Sequence, residues 1–222
     1  SPKAVAKEKG ILIESLPPDG LAILNYDDQT VLDMRERSKA KVMTFGFASE
    51  AAIWASDISY IVGDDELSLG GLSFKVHLGE SFVPFRMNNF IGSHQIYAVL
   101  VAVVVGSHFG LNLVEIATIM ESFESPRDRM ALLHGIKNTI IIGDAYNASP
   151  LSTHLALETL RELPGIRKIT VLGDMLELGK YSIKAHQEIG NMVGSFTDLL
   201  ICVGASAKFI TDSAFNQMPA EN

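Results

Sequence analysis

The hydrophobic pattern of the first half of the chain predicts short helices and strands. Apolar positions among charged ones over residues 3–16 predict a helix that ends at Pro17-Pro18. Asp27 and Asp28 favour the start of a second helix, which runs to about Arg37, because acidic side chains suit the positive end of a helix dipole. Short apolar runs predict strands over 21–24, 41–45 and 58–62, and hairpins over 67–90 that are interrupted at Gly70-Gly71 and Gly79-Glu80.

The apolar stretch over residues 95–106 predicts a buried helix. Its β-branched run, from Val99 to Val105, fits a strand equally well by period alone. The length of the stretch and the two small residues four positions apart, Ala98 and Ala102, favour the helix. A further helix is predicted over 112–123, after Gly110.

From about residue 125 onward, the pattern becomes a regular alternation of strands and helices. Strands are predicted over 139–143, 168–173 and 198–204, and the helices that follow them over 150–162, 182–193 and 206–215. Tandem strand–helix units predict a parallel sheet with helical crossovers, as in Rossmann-like domains. The sequence therefore predicts an α/β protein with two domains, residues 1–124 and 125–222.

Composition and charge narrow the possible functions. The chain has 222 residues, of which 47% are hydrophobic and 20% charged, and its net charge is −8. Residues 1–125 hold 9 Lys+Arg against 16 Asp+Glu, and the rest hold 9 against 10, so neither part has the basic excess that nucleic acid or an anionic membrane selects. The longest apolar run, 96–105, is ten residues, whereas a membrane span needs about 20. The single cysteine, Cys202, excludes an internal disulfide framework and fits a cytoplasmic protein.

Candidate ligand-binding residues follow the predicted strands of the second domain. In an open parallel sheet, ligands bind beyond the carboxyl ends of the strands. Two of these strands end in Gly-Asp, and the carboxylates of Asp144 and Asp174 are suited to ribose hydroxyls or a cationic partner. The alternative is that each aspartate only starts a loop or caps a helix. Tyr146 and Asn147 stand in the loop after Asp144, ahead of a helix start at Ser149-Pro150.

Several other residues have both a functional and a structural interpretation. Arg127 and Arg129 stand at the predicted domain junction. A guanidinium there is suited to binding a phosphate group. The alternative is that it is only a solvated charge in a linker. His94 stands at a predicted helix start, where it faces a ligand or caps the helix. His186 shares a helical face with apolar residues and is predicted to be a hydrogen-bonded core histidine.

The usual nucleotide-binding loops do not occur in the sequence. The segment GDMLELGK, residues 173–180, has five residues between its glycines, and Tyr181 follows its lysine. A phosphate-binding loop needs four residues there and Ser or Thr after the lysine. No GxGxxG segment occurs either, which argues against dinucleotide binding of the usual type.

These segments together resemble the Mur ligase family. GDAYNASPLS at 143–152 resembles the family segment DDSYNANPxS, and VLGDMLELG at 171–179 looks like its VLGDMLELG segment, with His186 in the position of a histidine that commonly follows. Residues 6–28, AKEKGILIESLPPDGLAILNYDD, are similar to AKGELxxxLPxxGxAVLNxDD. Gly92-Ser93-His94 resembles the start of GxHNxxNxxAA, and Arg129-Met130 resembles the end of GRM.

The resemblance implies part of a three-domain, ATP-dependent ligase of peptidoglycan precursor synthesis. In the branch that it indicates, ATP phosphorylates the carboxylate of UDP-N-acetylmuramoyl-tripeptide, and the amine of D-alanyl-D-alanine attacks the acyl phosphate. Residues 1–124 would be the later part of the central ATP-binding domain, and 125–222 most of the Rossmann-like C-terminal domain. The sugar-binding domain, the phosphate-binding loop, the carbamylated lysine and the Mg²⁺ ligands would lie outside this chain. We therefore expect a cytoplasmic monomer without nucleic-acid or membrane partners, and a fragment that is inactive alone.

The resemblance also implies roles for individual residues. Arg129 would contact phosphate as the catalytic residue of this part. The residues implied on the ATP side are Asn25, Asp28, His94, Gln95, Arg129 and Asp144. The residues implied to face the dipeptide are Tyr146, Asn147 and Asp174.

The chain departs from the family pattern at several of these positions. Gln95 and Ala98 stand where the family has asparagines, and Asp128 stands where it has a glycine before the arginine. Gly143 replaces an aspartate and Ser149 an asparagine. These changes leave a second hypothesis, a non-catalytic Rossmann-like binding module derived from a Mur ligase. A sibling enzyme, such as another Mur ligase or folylpolyglutamate synthase, is disfavoured by the YNA-x-P and GDMLELG segments.

Overall fold

A computed structural model describes residues 2–62 and 69–218 of the chain. The described residues divide into two compact units. Unit 1 contains 2–62, 69–88 and 93–124, and unit 2 contains 89–92 and 125–218. The first two residues of the predicted hairpin region, 67 and 68, lie outside the described residues.

Unit 1 is built on a five-stranded mixed sheet. Its strands are β1 (Leu21–Asn25), β2 (Lys41–Gly46), β3 (Ile53–Val62), β4 (Leu69–Leu78) and β5 (Ser81–Asn88). They lie in sequence order, with β1, β2 and β3 parallel and β3, β4 and β5 antiparallel. The carboxyl ends of β1 and β2 therefore lie side by side at one edge of the sheet.

Two of the helices described in unit 1, α2 and α4, begin at side chains that accept from free backbone N–H groups. The helices are α1 (Pro2–Glu14), α2 (Gln29–Leu32), α3 (Ile96–His108) and α4 (Leu113–Glu121), and a 3₁₀ turn, Asp33–Arg37, continues α2. Asp28 caps α2, as its acidic type predicts, by accepting from the N–H groups of Thr30 and Val31. Asn112 and Glu115 form a reciprocal capping box at α4.

The core of unit 1 forms where α3 and α4 cover the sheet. α3 packs on β2 and β3, and α4 packs on β5. The predicted buried helix over 95–106 is confirmed, because Val99, Leu100 and Val103 of α3 are almost fully buried. The strands contribute alternate buried residues to the core, namely Ala22, Leu24, Ile53, Ala55, Leu72, Phe74, Val76, Phe85 and Met87.

Two predictions for this sheet are wrong. β3 begins at Ile53, not at residue 58, and a bulge after Ser56 places Asp57 in the left-handed region with φ 52°. The pair Gly70-Gly71 lies inside β4 and does not form a turn. Gly71 has φ 138°, and a Cβ there would clash with the backbone carbonyl of Met87, so a glycine is needed within the strand.

Unit 2 combines two short sheets with three helices. Its strands are β6 (Ala131–His134), β7 (Ile140–Gly143), β8 (Ile169–Gly173) and β9 (Leu199–Val203), and its helices α5 (Pro150–Glu162), α6 (Ser182–Gly194) and α7 (Lys208–Phe215). β8 and β9 form the parallel pair that the strand–helix alternation predicts. β7 differs from the prediction, because it pairs antiparallel with β6, a strand that the sequence analysis missed.

The core of unit 2 lies between the β8–β9 pair and its helices. Leu157 of α5, Ile189 and Val193 of α6, and Ile210 of α7 are nearly inaccessible and belong to one apolar cluster. α5 begins and ends at the predicted residues, because Ser149 caps it and Pro150 occupies its first position.

None of the helices within residues 2–62 and 69–218 combines the length and apolar character that crossing a membrane requires.

Candidate functional site

In unit 1, the carboxylate of Asp27 joins the ends of β1 and β2 to the start of α3. Its Oδ2 accepts from the N–H of Phe47 at 2.7 Å and from the hydroxyl of Tyr97 at 2.9 Å. Its Oδ1 accepts from the N–H of Ala48 at 3.1 Å. One side chain thus connects three segments that are far apart in sequence. Sequence reasoning assigned Asp27 only to the start of α2 and missed this role.

Tyr97 is the α3 side of this junction. Its ring lies 4.7 Å from that of Phe47 and 6.1 Å, edge on, from that of Phe45. Partial burial, followed by the hydrogen bond to Asp27 and the negative charge of that carboxylate, raises the pKa of Tyr97 to about 12. Its hydroxyl is therefore protonated at neutral pH and donates to Asp27.

The four unit 1 residues on the predicted ATP side lie on the segments that Asp27 joins. Asn25 is the last residue of β1, and its Oδ1 accepts from the N–H of Asp27 at 2.9 Å. Asp28 caps α2 at the same edge. His94 and Gln95 form the 3₁₀ turn that leads into α3, two or three residues before Tyr97. Their contact with a nucleotide stays a prediction.

In unit 2, Arg129 closes a strained turn, in which its N–H donates to the carbonyl of Pro126 at 3.2 Å. The residues on both sides of it have left-handed backbones, with φ 60° at Asp128 and 51° at Met130. Such conformations are costly for residues other than glycine and tend to occur at functional sites. The guanidinium carbon of Arg129 lies 3.8 Å from the centre of the Tyr146 ring, in a cation–π contact.

Two hydrogen bonds from backbone N–H groups fix this turn against the loop that follows β7. Met130 donates its N–H to Oδ1 of Asp144 at 3.1 Å, and Tyr146 donates its N–H to the carbonyl of Asp128 at 3.2 Å. The structure thus brings together three predicted site residues, Arg129, Asp144 and Tyr146. Asn147 is exposed in the same loop.

The carboxylate of Asp174 lies at a different place in unit 2, after β8. Its Oδ1 accepts from the N–H groups of Ser206 and Ala207 at 3.0 and 2.7 Å, and its Oδ2 accepts from Ala205 at 3.1 Å. This geometry fits the alternative that an aspartate here orders a loop ahead of a helix, in this case α7. A contact between Asp174 and the dipeptide stays a prediction.

His186 is fully buried, and both of its ring nitrogens have partners. The N–H of Met175 lies 3.0 Å from Nε2, and the carbonyl oxygen of Ser182 lies 2.7 Å from Nδ1. Nε2 is therefore an acceptor and Nδ1 a donor, which is the arrangement of a neutral ring. The prediction of a hydrogen-bonded core histidine is confirmed.

Metal-ligating side chains do not gather into a site in the described part of the chain. No three His, Cys, Asp or Glu residues within 2–62 and 69–218 are arranged to hold a metal ion.

Two family models of Mur ligase domains match this chain. The model of the Mur ligase middle domain matches residues 1–106, and the model of the Mur ligase glutamate ligase domain matches 128–220. UDP-N-acetylmuramoyl-tripeptide–D-alanyl-D-alanine ligase of Mycobacterium tuberculosis is 28% identical over 198 residues, which cover 86% of this chain. The chain covers only 38% of that relative's length.

Solved structures share the fold over nearly the whole chain. MurF from Acinetobacter baumannii superposes with a TM-score of 0.84 and 23% identity, over 99% of this chain and 46% of that one. MurF ligase from Thermotoga maritima, solved in complex with ADP, gives a TM-score of 0.78 and 20% identity, over 95% of this chain and 46% of that one. At these identities, the likeness establishes the fold alone. The arrangement of elements in each unit is therefore one that these ligases use.

Proposed function

This chain belongs to the Mur ligase family, and we propose that it supplies the nucleotide-side and dipeptide-side parts of an ATP-dependent ligase that joins D-alanyl-D-alanine to UDP-N-acetylmuramoyl-tripeptide. The observation that carries the proposal is the fixed cluster of Arg129, Asp144 and Tyr146 on a family-matched domain. The curated relative with that name and the ADP-bound structural neighbour support the same assignment.

Residues of unit 2 hold the phosphate and the dipeptide in this proposal. The guanidinium of Arg129 contacts the phosphoryl group that passes from ATP to the tripeptide carboxylate, forming the acyl phosphate. A planar, permanently charged fork suits this task, because it can donate two parallel hydrogen bonds to phosphate oxygens. Asp144 holds the Arg129 turn and accepts from the ribose hydroxyls. Tyr146, Asn147 and Asp174 face the incoming dipeptide.

Residues of unit 1 form the base side of the nucleotide site. His94 and Gln95 lie by the adenine, and Asn25 and Asp28 shape the adjacent wall. In this proposal, another part of the ligase supplies the phosphate-binding loop, because no GxxxxGK segment followed by Ser or Thr occurs in the sequence. The Mg²⁺ ligands lie outside the described residues 2–62 and 69–218, which hold no metal-ligating cluster. Residues 1–124 complete the central domain, and 125–222 belong to the C-terminal domain, of a cytoplasmic monomer.

A second candidate is a binding module that has kept the fold and lost catalysis. Three departures from the family pattern favour it: Asp128 beside the phosphate-side arginine, Ala98 in place of an asparagine, and Gln95 in place of another. Ala98 is exposed on α3, one turn after Gln95, so the two changes alter the same helix face.

Ligation by the full-length protein distinguishes the two candidates. With ATP, Mg²⁺, UDP-N-acetylmuramoyl-tripeptide and D-alanyl-D-alanine, we expect ADP, phosphate and the amide product, and no amide product when the dipeptide is omitted. Residues 1–222 alone are expected to form no ADP. ADP formation by residues 1–222 alone would contradict the proposal that other parts of the ligase supply the phosphate-binding loop. Nucleotide binding without ligation by the full-length protein would favour the binding module.

Replacing Asp128 tests whether its charge opposes phosphate binding. In the full-length protein, Asp128→Gly is expected to lower the KM for ATP about fivefold, or roughly 1 kcal/mol, the upper range for an exposed charge pair. Glycine also removes the strain of the left-handed backbone. Asp128→Asn is the matched control, because asparagine tolerates φ 60° and removes only the charge. A KM for ATP that is unchanged or higher in both variants contradicts this interpretation.

A further inference from the structure

Four residues on the proposed base side lie on two segments that are far apart in sequence, the turn from Asn25 to Asp28 and the turn that holds His94 and Gln95. Asn25 ends β1, Asp28 follows it at the cap of α2, and His94 and Gln95 precede α3. A nucleotide base can be recognised there only if these segments keep a fixed spacing, since small displacements weaken hydrogen-bonded recognition strongly.

Asp27 and Tyr97 supply that fixed spacing. The carboxylate is attached to the β1 end, accepts from two backbone N–H groups beyond the β2 end, and accepts from the Tyr97 hydroxyl of α3. Hydrogen bonds to an ionised acceptor are stronger than those between neutral groups. The contact therefore ties the turn that carries His94 and Gln95 to the strand that carries Asn25.

Gly46 is the residue that permits this close approach. A Cβ at Gly46, the last residue of β2, would lie 2.7 to 2.8 Å from the three carboxyl atoms of Asp27. Any larger residue would force the carboxylate away from the strand end. The rings of Phe45 and Phe47 pack against Tyr97 on either side of this glycine, so the tyrosine is held by packing as well as by its hydroxyl.

We infer that Asp27 and Tyr97 form a positioning pair that holds the turn of His94 and Gln95 against the turn from Asn25 to Asp28, and that discrimination between bases at the nucleotide site depends on this spacing. The inference rests on the proposed function. Neither side chain has to touch the nucleotide, because the pair acts by holding the segments that do. The pair is distinct from the residues that the family resemblance assigns to ATP.

Steady-state kinetics of the full-length protein with ATP and with GTP test the pair. Tyr97→Phe removes one hydroxyl and keeps the ring. We expect it to raise the KM for ATP about tenfold, the scale of one hydrogen bond to a charged group, and to lower the ATP-to-GTP ratio of kcat/KM by a similar factor. The kcat with ATP and the KM for D-alanyl-D-alanine are expected to stay unchanged.

A second variant and a control separate positioning from loss of stability. Asp27→Asn keeps one acceptor oxygen and is expected to change base preference in the same direction. Tyr181→Phe removes a hydroxyl from an exposed ring in unit 2 and should match the wild type.

Each outcome of these measurements is decisive. Wild-type base preference in Tyr97→Phe overturns the positioning role, and so does an equal loss for ATP, GTP and the dipeptide, which indicates general destabilisation. A wild-type protein that forms no amide product overturns the proposed function, and the inference with it. An active wild type with an unaffected Tyr97→Phe variant overturns the inference alone.

Discussion

Arg129→Ala in the full-length protein is expected to lower kcat about 100-fold, the scale for losing one donor that stabilises charge in a transition state. The expectation follows from the way the side chain is held. Left-handed residues flank Arg129 at the end of a hydrogen-bonded turn, and its guanidinium carbon lies 3.8 Å from the centre of the Tyr146 ring, which restrains the side chain. A group that is already oriented loses little entropy when it binds a phosphoryl group.

The neighbouring arginine provides the matched control for this result. Arg127 is exposed in the same turn and carries the same charge, so Arg127→Ala tests the loss of a positive charge at a neighbouring position. It is expected to stay within a few-fold of the wild type. Arg129→Lys should recover only part of the loss, because an ammonium group cannot donate two parallel hydrogen bonds. Wild-type kinetics for Arg129→Ala would show that the residue is only a linker charge.

Local sequence signals predicted the elements that begin or end at strongly biased residues. The limits of α5 follow from Ser149 and Pro150, and the buried helix α3 follows from its length and its small residues. The sequence signal is weakest for elements whose limits and pairing depend on tertiary contacts. β6 has only four residues, Ala131–His134, and its pairing with β7 is not encoded in any local pattern. The bulge at Asp57 breaks the alternation of β3, which hid the first half of that strand.

Some residues of the candidate site could be predicted from the sequence, and others depend on tertiary contacts. The strand end, the domain junction and the family motifs identified Asp144, Arg129 and Tyr146 in the sequence. In the structure, Arg129 contacts Tyr146, and Asp144 accepts from the N–H of the adjacent Met130. The junction of Asp27 and Tyr97 could not be predicted, because the two residues are 70 positions apart and nothing in the segments that contain them indicates that they pair. For Asp174, the sequence left a ligand contact and a capping role open, and only the three backbone N–H groups at its carboxylate show the capping geometry.

The close packing of α6 against α7 predicts that a substitution at a glycine between these helices lowers the stability of the protein. Gly190 faces the backbone of α7, where a Cβ would clash with the carbonyl oxygen of Ile210 and lie 2.8 Å from the Cβ of Ser213. One turn later, a Cβ at Gly194 would lie 2.6 Å from the carbonyl oxygen of Ala214. Backbone atoms of a packed helix cannot rotate away as side chains can, so the two helices would have to separate.

Gly190→Ala is therefore expected to destabilise the protein by about 2 kcal/mol or more, the range for overpacking a close-packed core. In an exposed helix the same change would stabilise by about 1 kcal/mol, because alanine has the higher helix propensity. Thermal unfolding followed by circular dichroism measures the difference as a drop in Tm of roughly 4 to 8 °C.

Gly165→Ala is the control, since a Cβ there would have its nearest neighbour 4.0 Å away, and its Tm should match the wild type. A Tm for Gly190→Ala at or above that of Gly165→Ala would mean that helix propensity outweighs the contact, and that α6 and α7 can move apart at little cost.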